Sequence, residues 1–108
     1  MPGGDIVRDF VTAYDPSGAN SQNPLAWPYH ATLDELKGLP PHTNSVNELD
    51  NLRDEGLIYA RKLMTAGVPT ISRTVNATHH GGDTEYWSAV PHVCYATIRD
   101  IRSFAASL

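Results

Sequence analysis

A single cysteine, Cys94, in 108 residues leaves no internal disulfide, which excludes a disulfide-stapled secreted scaffold and fits a reducing compartment. Basic residues are also few. The 8 Lys and Arg are scattered singly against 12 Asp and Glu, for a formal net charge of -4. No basic stripe is available to neutralise a phosphate backbone, so nucleic acid is excluded as a partner. No apolar run approaches the roughly 20 residues of a membrane helix. Met1-Pro2-Gly3-Gly4-Asp5 lacks the basic start and apolar stretch of a signal peptide, so a cytoplasmic chain without a membrane span is expected. His79, His80, Asp83, Glu85 and His92 are candidate metal-ligating side chains by type. Adjacent residues tend to point apart and no helical His-x-x-x-His pair occurs, so no metal is expected, and no cofactor motif is present.

What is there has the composition of a folded globular chain, 41% hydrophobic and 19% charged, without a low-complexity tract. Its length allows one domain or a piece of one. Ile6, Val7, Phe10, Val11 and Tyr14 recur at helical spacing and Asp15-Pro16-Ser17-Gly18 supplies a stop, which predicts a first helix. The Asn-, Ser- and Pro-rich stretch from Ala19 to Trp27 reads as an irregular surface excursion anchored by Trp27 and Tyr29. Thr32 and Glu35 have capping-box spacing before one helical turn closed by Gly38.

His42 to Leu49 reads as a short strand, with Val46 and Leu49 its clearest apolar members. From Asn51 to Ala66, Leu52, Leu57, Ala60, Leu63 and Met64 share one side of a helix. Asp54 and Glu55 open it and Arg61 and Lys62 close it, which complements its dipole. Val68 to Val75 is β-branched and reads as a second strand. After a loop over 76–89, Pro91 starts a last helix with a stripe of Cys94, Ile98, Ile101, Ala105 and Leu108.

Strand, helix, strand, loop, helix is an α/β order with a parallel sheet. Two parallel strands with covering helices make an incomplete sheet, since parallel strands are normally buried within larger ones. The missing strands would come from a complementing N-terminal chain or from self-association. In open α/β sheets the reacting groups collect beyond the carboxyl ends of the strands. Asp50 and His80 both fall there, a carboxylate and an imidazole in the order of the last two members of a Ser, Asp, His triad. Taken alone, Asp50 is more readily a helix N-cap and His80 more often a loop histidine than a catalyst.

The run Asn47-Glu48-Leu49-Asp50-Asn51-Leu52-Arg53-Asp54-Glu55-Gly56, then Tyr59-Ala60, Leu63 and Ala66-Gly67-Val68, resembles the Asp-Pro-Leu-x-Asp-Glu segment of hormone-sensitive-lipase-type esterases of the α/β-hydrolase fold. Asn23-Pro24-Leu25-Ala26 and Gly38-Leu39-Pro40-Pro41 are similar to the lead-in of that segment. The resemblance extends from about Tyr14 and implies the C-terminal part of the fold, with Asp50 as triad acid and His80, followed by Gly81, as triad histidine. Asn51 stands where the family usually has proline and Gly82 where an aromatic often follows. The doublet leaves His79 and His80 one residue apart as the base.

No Gly-x-Ser-x-Gly occurs in the 108 residues, and Ser88, Ser103 and Ser107 lack flanking glycines. His79-His80-Gly81-Gly82 follows the last strand and is not the oxyanion loop, which precedes the nucleophile. The resemblance therefore implies a carboxylic-ester hydrolase acting on a small-molecule ester, with the acid and base here and the nucleophile elsewhere, so that the isolated chain is inactive. The alternative is a non-catalytic interaction module that docks through its exposed sheet edge. Trp27, Tyr29 and Trp87 are candidates to flank an acyl or alcohol pocket; Cys94, on the inferred core stripe, is assigned no role.

Overall fold

The β-branched strand sequences and the amphipathic segment between them form a β-α-β unit on which the other helices are hung. A computed structural model describes residues 3–108; Met1 and Pro2, in the segment found above to lack signal-peptide features, lie outside the described residues. In chain order the elements are α1 (Gly3–Tyr14), a 3-10 turn (Pro28–His30), α2 (Leu33–Leu36), β1 (His42–Asn47), α3 (Arg53–Thr65), β2 (Thr70–Val75), α4 (Gly82–Glu85) and α5 (Pro91–Ala106). The strands pair in parallel, with His42 opposite Thr70 at one end and Asn47 opposite Val75 at the other. The described residues thus hold a two-stranded sheet within the α/β fold.

Local hydrogen bonds explain where the elements fall short of their expected bounds. β1 ends at Asn47, not Leu49, because Asn47 O accepts the Asp50 amide at 3.2 Å and turns the chain. The same turn consumes Asn51 and Leu52, so α3 begins at Arg53. Its C-terminus is closed as a Schellman motif. The Val68 amide donates to Leu63 O at 3.0 Å and the Gly67 amide to Met64 O at 3.1 Å, with Gly67 at φ 81°. Val68 and Leu63, which bracket this motif, belong to one buried cluster with Ala31 and Leu36, the hydrophobic contact such a closure favours. β2 therefore starts at Thr70 instead of Val68.

Helix α3 lies close against β1. A Cβ on Gly56 would sit 2.6 Å from Val46 Cγ1, and the Gly56 carbonyl accepts the Asn44 side-chain amide at 3.1 Å. On its other flank α3 holds the surface excursion. Lys62 Nζ donates to the carbonyls of Tyr29 (2.7 Å) and Ala31 (3.2 Å) and lies over the Tyr29 ring. The expected anchors are in place, since Trp27 meets Tyr14 edge to face at 4.9 Å. The Thr32–Glu35 capping box is formed in full. The 3-10 turn over Pro28–His30 was not legible beforehand, because three residues give no apolar period.

The apolar stripes are only partly covered. On α3, Ala60 and Leu63 are buried while Met64 is exposed, as is Leu52 at its cap. On α5 the buried residues are Cys94 and Thr97, whereas Ile98, Ile101 and Leu108 of the expected stripe are exposed. The stripe is thus rotated, because α5 packs through Cys94 onto α4, near the Gly82 carbonyl. Ile6, Phe10, Val11 and Tyr14 of α1 and Ile71 of β2 are exposed as well.

Two outcomes follow from this packing. Gly56→Ala should destabilise the chain by about 1–3 kcal/mol, the usual cost of overpacking, read as a lowered urea midpoint; an unchanged midpoint would show that β1 and α3 can separate freely. With three apolar faces open, the 108-residue chain should bind a hydrophobic dye and elute larger than a monomer in gel filtration. A monodisperse monomer that excludes the dye would show that these faces find cover within the chain.

Candidate active site

The register of the two strands decides which loops meet. Asn47 and Val75 end β1 and β2 side by side, so the segments that follow leave the sheet at the same edge. They remain zipped for a few residues: the Glu48 amide donates to Val75 O and the Leu49 amide to Thr78 O, each at 3.0 Å. Ala77 takes a positive φ of 58°, and its amide is held by Glu48 Oε2 at 2.6 Å.

Asp50 sits in the first of these loops and His80 in the second. Asp50 Oδ1 accepts the Leu52 amide at 2.9 Å, and Oδ2 lies 2.8 Å from His80 Nδ1. Asp50 is not the side-chain cap of α3; the cap position is Leu52, which offers no side-chain bond. His80, and not His79, reaches Asp50. A carboxylate only accepts, so Nδ1 carries the proton between them, and in the neutral ring the lone pair falls to Nε2. The side chains are unequally placed: Asp50 is 12% exposed and His80 75%. A half-buried carboxylate thus holds an open imidazole in the tautomer suited to taking a proton from a nucleophile.

Glycine is required next to the imidazole. Gly81 has φ 69°, and a Cβ there would meet the Glu85 carboxyl at 3.1 Å. Gly82 stands where an aromatic was the family expectation; it is buried, and its Cβ would approach Thr78 Cβ at 3.0 Å. These glycines lead into α4, a single turn within the segment expected to be loop. Its signals were a left-handed glycine and the acidic residues Asp83 and Glu85 in the first turn.

Beneath the pair lies a buried polar cluster that the residue types did not announce. Asn47 Nδ2 donates to Thr78 Oγ1 (2.7 Å) and to Asp83 Oδ1 (3.0 Å), and Asn47 Oδ1 accepts the Gly81 amide at 3.2 Å. Thr97 Oγ1 donates to Asp83 Oδ2 at 2.8 Å. Arg73 reaches Thr97 at 3.2 Å and Asp100 at 2.6 Å. Asp83 was considered in the sequence only as a potential ligand, and Asn47, Thr78 and Thr97 carried no signal beyond being polar. Burial pushes the Asp83 pKa up, but the hydrogen bonds from Asn47, Thr97 and its own backbone, with the charge of Arg73, outweigh it and leave the carboxyl below its ordinary 3.8.

Trp27 and Tyr29 line a cleft of about 710 Å³ together with Val7, Phe10, Tyr14 and Leu52. Trp27 Nε1 is buried there without a hydrogen-bond partner. Trp87 does not join them; it stacks edge to face on Tyr95 at 5.2 Å. Leu52, two residues from Asp50, connects this cleft to the acid's loop.

The lowered Asp83 pKa ties this cluster to stability. The carboxylate's contribution is complete above the unfolded pKa of about 4 and is lost as pH falls through the lower folded value. Asp83→Asn should therefore flatten the dependence of the urea midpoint on pH between about 5 and 2; a variant with the wild-type slope would show that Asp83 does not govern acid unfolding.

A family profile described as the alpha/beta hydrolase fold matches residues 4–83, beginning upstream of Tyr14. Among solved structures, the chain superimposes on brefeldin A esterase, a bacterial homologue of human hormone-sensitive lipase. The TM-score is 0.87 and the identity 47%, over 90% of this chain and 27% of that one. A thermostable esterase from Pseudomonas putida matches with a TM-score of 0.76 and 36% identity, over 86% of this chain and 30% of that one. An arylesterase of Saccharolobus solfataricus is 45% identical over 58 residues, 54% of this chain and 18% of that protein. The chain thus spans about a fifth of the length of the curated relatives it matches.

Proposed function

The chain belongs to the α/β-hydrolase fold family, with esterases of the hormone-sensitive-lipase type, and we propose that it supplies the acid, Asp50, and the base, His80, of a triad for carboxylic-ester hydrolysis. The observation that carries this reading is the 2.8 Å contact between Asp50 Oδ2 and His80 Nδ1. It joins residues thirty positions apart through two loops that leave adjacent parallel strands. With Nδ1 committed to the carboxylate, His80 Nε2 takes the proton of a serine hydroxyl as the oxygen attacks the ester carbonyl, and Asp50 stabilises the imidazolium that results. The same Nε2 then returns the proton to the leaving alcohol.

The serine and the oxyanion donors are not encoded in a Gly-x-Ser-x-Gly within the 108 residues. In this reading they are contributed by polypeptide outside them, which completes the sheet as it completes the triad. The substrate is a small-molecule ester whose apolar portion suits the cleft lined by Trp27 and Tyr29, because such pockets are mostly apolar and aromatic.

The test is hydrolysis of short p-nitrophenyl esters by the chain alone and after mixing with a polypeptide that carries the N-terminal strands and serine elbow of an esterase of this family. The chain alone should not exceed free imidazole, since in this reading the nucleophile and the oxyanion hole lie outside it. The mixture should gain activity that a fluorophosphonate abolishes. Asp50→Asn or His80→Asn in the mixture should lower kcat by on the order of 10⁴-fold. A complemented enzyme indifferent to both substitutions would sink the reading and favour the interaction module. Serine-type turnover by the chain alone would also contradict it.

A further inference from the structure

We propose that Asn47 and Asp83 are positioning residues for His80, acting through a buried hydrogen-bond relay whose donor and acceptor directions are fixed throughout; the proposal rests on the reading of Asp50 and His80 as acid and base. The imidazole itself is poorly supported by packing. The His80 side chain is 75% exposed, so neighbours do not wedge it in place, and its position depends on how the backbone of its loop is held.

That backbone is held on both sides of His80 by one side chain. Asn47 Oδ1 accepts the amide of Gly81, the residue after His80, at 3.2 Å. Asn47 Nδ2 donates to Thr78 Oγ1, two residues before it, at 2.7 Å. Asn47 is also the last residue of β1, three positions ahead of Asp50. The side chain that fixes the base's loop is therefore rooted in the strand that delivers the acid.

The orientation of the Asn47 amide is not free. Thr78 Oγ1 spends its proton on Val75 O at 2.6 Å, so toward Asn47 it can only accept. Nδ2 must face Thr78, and its second proton goes to Asp83 Oδ1 at 3.0 Å. Asp83 Oδ2 accepts from Thr97 Oγ1 at 2.8 Å, and Thr97 Oγ1 in turn accepts from Arg73 at 3.2 Å. Asn47, Thr78, Asp83 and Thr97 are all buried. Away from water, a reversed amide would set its oxygen against the acceptors of Thr78 and Asp83 and its NH2 group against the Gly81 amide, displacing the residue next to His80. An ionised Asp83, two acceptors and no donor, is what keeps the amide in its working direction.

The experiment is long-range proton–nitrogen NMR of the imidazole nitrogens in the 108-residue chain at about pH 8.5, where an ordinary histidine is neutral. In the wild type His80 should be predominantly the Nδ1–H tautomer. Asn47→Asp sets two carboxylates against each other and should return His80 to the Nε2–H tautomer that dominates in a free histidine side chain. Asp83→Asn alone still presents a carbonyl oxygen to Asn47 and should keep the Nδ1–H tautomer. The double exchange Asn47→Asp/Asp83→Asn reverses the direction of the central bond while an acceptor still faces Gly81, Thr97 keeps an acceptor and the Thr78 hydroxyl turns from Val75 O to the new carboxylate, so it should restore most of the Nδ1–H signal. A role in stability alone would not predict rescue of a tautomer. Asn47→Leu, nearly the same size and uncharged, removes both the acceptor at Gly81 and the donor at Thr78 and should cause the same loss; it decides the matter if a charge-altering variant fails to fold.

Retention of the Nδ1–H tautomer in folded Asn47→Leu or folded Asn47→Asp would overturn the proposal and leave the acid–base reading standing. Absence of that tautomer in the wild type would overturn both. A folded double exchange that stays in the Nε2–H form would overturn the relay's fixed direction, while Asp50→Asn, measured alongside, reports the acid's own hold on the imidazole.

Discussion

The site depends on one constraint, the parallel register that sets Asn47 against Val75. A slip of one residue would exchange the faces of every side chain on β2 relative to β1. It would also move the loop carrying His80 by about 3.3 Å, the rise per strand residue, which is more than the whole length of the bond to Asp50. The close seat of α3 on β1 at Gly56, the Schellman closure at Gly67 and the zipped amides of Glu48 and Leu49 all protect that register. Burial follows the same logic: both strands are best covered at their carboxyl ends, where the chemistry-bearing loops begin.

The polar cluster below the pair solves a second problem. Loop residues that must be reached by substrate cannot be packed from every side, so their order has to be imported from beneath. Here the import runs through hydrogen bonds to buried groups, and it works because each has a partner of the right kind. Arg73 and Asp100 extend this cluster to the surface and link β2 with α5. The last helix, remote from Asp50 in sequence, thereby contributes Thr97 to the support of the proposed base.

The elements with several turns or clear β-branching were legible in the chain, and their errors were confined to ends. Asn51, Leu52, Val68 and Pro69 were each assigned to a neighbouring element although they form its turn. Such errors arise where a hydrogen bond to a residue several positions away, such as Val68 to Leu63, decides the boundary. The stripe on α5 was misjudged for another reason. Ile98 and Ile101 are more apolar than Thr97, but burial went to the side facing Asp83, where a threonine hydroxyl has a partner and an isoleucine would leave a carboxylate oxygen unpaired. Trp87 was placed near Trp27 on residue type alone, and type carries no information about which surface an aromatic covers.

By itself the sequence determined the α/β order, the helix with its acidic start and basic end, the capping box at Thr32 and the arrival of Asp50 and a histidine of the second loop at one edge of the sheet. These are local, written in side-chain period, in dipole complementarity and in which loops follow which strands. Only the tertiary structure decided that the histidine is His80 and not its neighbour, that Asp50 binds the Leu52 amide with one oxygen and the imidazole with the other, and that Asn47, Thr78, Asp83 and Thr97 act together. Those facts depend on which buried donor meets which acceptor across the fold. A single polar residue has the same appearance in a sequence whether it faces water or completes such a contact.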